Sequence, residues 1–65
     1  MIANALKKKL EADVEAARSD LEVFLNNPLG VAEHIDYIAT AEKKLEHLAH
    51  AEDKLESLQR HFSKY

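Results

Sequence analysis

Leu25-Asn26-Asn27-Pro28-Leu29-Gly30-Val31-Ala32-Glu33-His34-Ile35-Asp36 divides the chain, because it holds the only proline and the only glycine, Pro28 and Gly30. The residue before a proline resists the helical region, and asparagine tolerates the left-handed conformation at a helix end. Asn27-Pro28 therefore stops any helix arriving from the N-terminal side. Asn27 also suits the cap of a short turn with Pro28 in first position. Beyond the break, Glu33 and Asp36 favour the positive end of an outgoing helix.

On the N-terminal side, Ala3, Leu6, Leu10, Val14, Ala17, Leu21 and Phe24 recur in steps of three and four. On the C-terminal side, Ile38, Ala41, Leu45, Leu48, Ala51, Leu55, Leu58, Phe62 and Tyr65 do the same. Such spacing marks one apolar stripe on each of two amphipathic helices. The spacing predicts an all-α antiparallel hairpin within a single domain spanning 1–65. Helix one covers about 2–26, a loop about 27–34 and helix two about 35–63. A near-repeat of Ala41–Leu48 at Ala51–Leu58 lies within helix two. It reflects helix-forming composition rather than a solenoid.

A turn centred near Gly30 and Val31 brings Phe24 near Tyr37, Leu10 near Ala51, and Leu6 near Leu55. It also sets Lys7, Lys8 and Lys9 opposite Glu52, Asp53 and Glu56, which offsets a basic run at the positive end of a helix. Helix two is the longer, at roughly 45 Å against roughly 37 Å. One facing helix cannot cover its stripe. Sixty-five residues supply little core, and chains this short usually need disulfides, a metal or a partner. Without cysteine, the expected supplement is self-association as a four-helix bundle or a higher oligomer. Leu45, Leu48, Leu55, Leu58, Phe62 and Tyr65 are the expected oligomer interface.

The net charge of -3 argues against a nucleic-acid partner. No apolar run approaches the roughly 20 residues of a membrane span. The basic stretch at Lys7–Lys9 follows the first apolar residues, the reverse of a secretory signal. The cytoplasm is the expected location.

Four histidines are many for such a chain. His47 and His50 have a spacing able to share a metal, but His61 lies roughly 16 Å further along the helix, and zinc asks for at least three protein ligands. No metal and no cofactor are expected. Ser19, Ser57 and Ser63 lack an elbow motif, and one glycine makes no phosphate loop, so no catalytic residue stands out. In the loop, Asn27, Glu33 and His34 are the candidate ligand-binding residues, where a small polar ligand would find converging hydrogen-bonding groups. Structural roles, capping above all, account for most of these loop residues and are the favoured reading.

The string Leu25-Asn26-Asn27-Pro28-Leu29-Gly30 with Glu33-His34, followed by Ala51-Glu52-Asp53-Lys54-Leu55 and His61-Phe62, resembles a group of small helical proteins of tailed phages, cyanophages in particular. Ile35 stands where those relatives carry proline. The resemblance implies a viral origin, hence a host-cell cytoplasm, and implies no activity. By fold alone the hairpin is similar to Rop-type dimers, without the basic face that would extend the likeness to RNA. The expectation is a small oligomeric phage accessory protein that binds a host or viral protein and is not an enzyme. The alternative is an oligomeric sponge that sequesters a small nucleotide signal.

Overall fold

A computed structural model describes residues 1–26 and 36–63. Helix α1 runs Ile2–Asn26 and helix α2 runs Tyr37–Phe62. They pack against each other as an antiparallel hairpin, and no strand occurs among the described residues. The first helix has the expected bounds. The second begins at Tyr37 rather than near residue 35, because Asp36 is its cap. The Asp36 backbone is extended, and its carboxylate accepts a 3.0 Å hydrogen bond from the Ala39 amide. That bond satisfies a donor with no partner inside the helix.

Three contacts fix the register between the helices. Phe24 and Tyr37 place their ring centroids 6.3 Å apart. The Lys44 ammonium donates to Asp20 at 2.8 Å, and it also lies 5.7 Å from the Phe24 ring centroid. The expected proximity of Phe24 and Tyr37 is therefore present.

The expected meeting of Lys7–Lys9 with the acids of α2 is not. Lys9 donates to Asp13 on its own helix at 2.7 Å, and among the described residues Lys7 and Lys8 form no ion pair. Lysine and aspartate one turn apart on a helix already meet without any tertiary closure.

The core is thin. Among the described residues only Leu10 and Ala51 are buried, at 7% and 8% exposure. The molecule measures 48 × 15 × 14 Å, with a radius of gyration of 14.8 Å, against about 11 Å for a compact chain of this length. Its accessible surface is 5300 Å², where a folded monomer of this mass exposes about 4,200 Å². The difference is roughly 1,000 Å², comparable with the ~800 Å² that each partner buries in a standard interface.

Candidate self-association surface

The residues expected at an oligomer interface divide into two groups. Leu48, Leu55 and Leu58 are half-buried, because they border the seam against α1. Leu45 and Phe62 are 54% and 53% exposed. Tyr65 lies outside the described residues. Ile38 was not among those candidates, yet it is 79% exposed. It stands seven residues before Leu45 on the same side of α2. The heptad step from Leu45 back to Ile38 was the signal that could have found it.

The hairpin presents two unlike faces. On one, Asp13 and Ala17 from α1 border a shallow cleft of about 330 Å³ with His47, His50, Ala51 and Lys54. A neighbouring depression joins Asp20 to Thr40, Lys43, Lys44 and His47. This face is polar and charged. The other face carries a cleft of about 290 Å³ near the chain's N-terminus, where Asn4 and Lys7 meet Leu58, Gln59, Phe62 and Ser63. Gln59, Glu52, Leu45 and Ile38 succeed one another in sevens, so the exposed apolar side chains of α2 share that second face.

Arg18 occupies the α1 edge of the same face. It donates to Glu15 at 2.6 Å and to Glu22 at 2.9 Å. The hydrogen bond from Arg18, then its positive charge, lowers the Glu15 pKa. Hydrogen bonds to Glu15 and then Glu22 raise that of Arg18. Arg60 and Glu56 form a further ion pair along α2.

His47 and His50 border one cleft, as their spacing predicts. His61 stacks edge-on to Phe62 with ring centroids 6.3 Å apart. Among the described residues no three His, Cys, Asp or Glu side chains gather closely enough to hold a metal ion. The candidate ligand residues Asn27, Glu33 and His34 lie outside the described residues. No helix among the described residues is long and apolar enough to cross a membrane. No family model matches the chain, and no curated protein or solved structure matches it.

Proposed function

We propose that this chain is a small oligomeric interaction protein of phage type, acting in a host cytoplasm by binding protein rather than by catalysis. One observation carries the reading: among the described residues two are buried, against several exposed large apolar ones, Ile38, Leu45, Leu25 and Val23 among them. A surface of that kind serves association. Assembly of two hairpins into a four-helix bundle is the simplest closure. The bundle's remaining surface then engages a host or viral protein. Its origin rests on the Leu25–His34 string alone.

Sedimentation equilibrium at micromolar concentration tests the first step. The expected result is at least twice the 7.4 kDa chain mass. A folded monomer overturns the reading. The nucleotide-sponge alternative depends on Asn27, Glu33 and His34, and no described residue adds to it. The clefts on both faces are shallow and open, unlike the enclosing pockets that small ligands occupy.

A further inference from the structure

We infer that the partner on the second face is another copy of this chain, docked antiparallel helix on like helix: α1 against α1, α2 against α2, about a twofold axis passing near Val14. This rests on the oligomeric reading above and gives it a face and a register.

The charges of α1 set the register. Lys7, Glu11, Val14, Arg18 and Glu22 share one edge of α1, at steps of four, three, four and four. Run antiparallel to itself, this edge is self-complementary. Glu11 meets Arg18 of the second copy, and Lys7 meets Glu22 of the second copy. The result is an alternating ladder, occurring twice by symmetry. Lys7 and Glu11 form no ion pair among the described residues, so the ladder supplies what the single chain lacks.

The exposed apolar side chains of α2 lie on the same face. Ile38 and Leu45 stand one heptad apart, and Glu52 and Gln59 continue their line. Antiparallel pairing in the register that α1 sets lays Leu45 between Glu52 and Glu56 of the second copy, along their aliphatic stems, and Ile38 beside its Gln59. Ile38 and Leu45, 79% and 54% exposed in the single chain, are thereby covered.

The hairpin's own register carries the α1 pairing over to α2. Asp20 bonds Lys44, so those positions share a level. Twofold symmetry in the α1 ladder carries that level to Lys9 of the second copy. With Lys7 and Leu58 sharing one cleft, Lys9 stands level with Leu55. The α1 charges thus set position 44 level with position 55 of the second copy. The excess surface of roughly 1,000 Å² per chain is what such an interface removes.

The chain has no cysteine, so single introduced thiols report the geometry cleanly. Val14→Cys, near the axis, should oxidise to a covalent dimer, since its own copy lies within disulfide reach. Ile38→Cys should not, since its own copy lies roughly 35 Å away along the helix. In a second test, Glu11→Arg and Arg18→Glu should each weaken the dimer about tenfold by setting like charges together. An equimolar mixture should recover wild-type association, because both cross-pairs then carry opposite charges. Mixing cannot rescue pairs made within one chain. If wild type sediments as a dimer, either of two results overturns this register and leaves oligomerisation standing: Val14→Cys fails to cross-link, or the mixture gains nothing. If wild type is a monomer, the underlying reading falls too.

Discussion

Lys44 makes two contacts with α1 at once: its ammonium bonds the Asp20 carboxylate at 2.8 Å and lies 5.7 Å from the Phe24 ring centroid. Its side chain is only 28% exposed, against 60% for Asp20. The aliphatic stem therefore lies along the seam while the charged head remains in water. Lys44→Ala removes the ion pair, the ring contact and that packing, and should cost about 1–2 kcal/mol. Asp20→Ala removes one partially exposed partner and should cost less than about 1 kcal/mol. Urea unfolding at low and high salt checks both, with salt shrinking the gap between wild type and Asp20→Ala.

The thin core makes Ala51 a sensitive position. Ala51→Leu inserts three carbons where α1 approaches closely, and should destabilise the hairpin by about 1–3 kcal/mol. Leu10→Ala should cost about 2 kcal/mol or more by leaving the seam unfilled. Thermal unfolding at matched chain concentration checks the pair. An Ala51→Leu protein as stable as wild type would show that the helices stand further apart than described.

Asp36 supplies the cap of α2 by one hydrogen bond to Ala39. Asp36→Ala should cost about 1 kcal/mol, whereas Asp36→Asn, which keeps the acceptor, should cost only a few tenths. Amide exchange at Ala39 and its neighbours reads the cap directly, with faster exchange expected in the alanine variant alone.

Glu15 should titrate below the ordinary glutamate range, because Arg18 hydrogen-bonds and attracts its charged form. A depressed folded-state pKa contributes stability that is present above the unfolded value, near 4.3. That contribution is lost as pH falls through the folded value. Carbon-detected NMR titration should show the depression in wild type and its disappearance in Arg18→Gln. The net effect on unfolding is small, since both side chains lie at the surface.

The helices were legible because the break at Asn27-Pro28 and the steps of three and four are local signals. The pairing of Phe24 with Tyr37 followed from placing the turn. The start of α2 was misplaced because Asp36 reads equally as a dipole partner inside the first turn and as the cap before it. Only the Ala39 amide, bonded to its carboxylate, separates the two roles. The lysine run misled for a related reason: long side chains satisfy themselves within their own helix, as Lys9 does with Asp13.

The surface was harder to read. A single stripe on α2 holds both the residues facing α1 and those facing outward. Leu48, Leu55 and Leu58 fall to the first group, Ile38 and Leu45 to the second. Periodicity alone does not say where one partner ends and the next begins. The charged edge of Lys7, Glu11, Arg18 and Glu22 is invisible to any search that follows only apolar positions.

Leu10 and Ala51, the two buried among the described residues, lie far apart along the chain and well away from the turn. The contact between Phe24 and Tyr37 closes a much shorter loop, so chain entropy favours its forming first. The most tightly packed part of the hairpin is then the last to seal, once Ala51 has been synthesised. A nascent chain interrupted before Ala51 would leave the N-terminal part of the α1 stripe, Leu6 and Leu10 included, with nothing to cover it. Quality-control proteases and chaperones would meet that truncated product as an exposed greasy helix, whereas a completed chain offers them the same stripe only briefly.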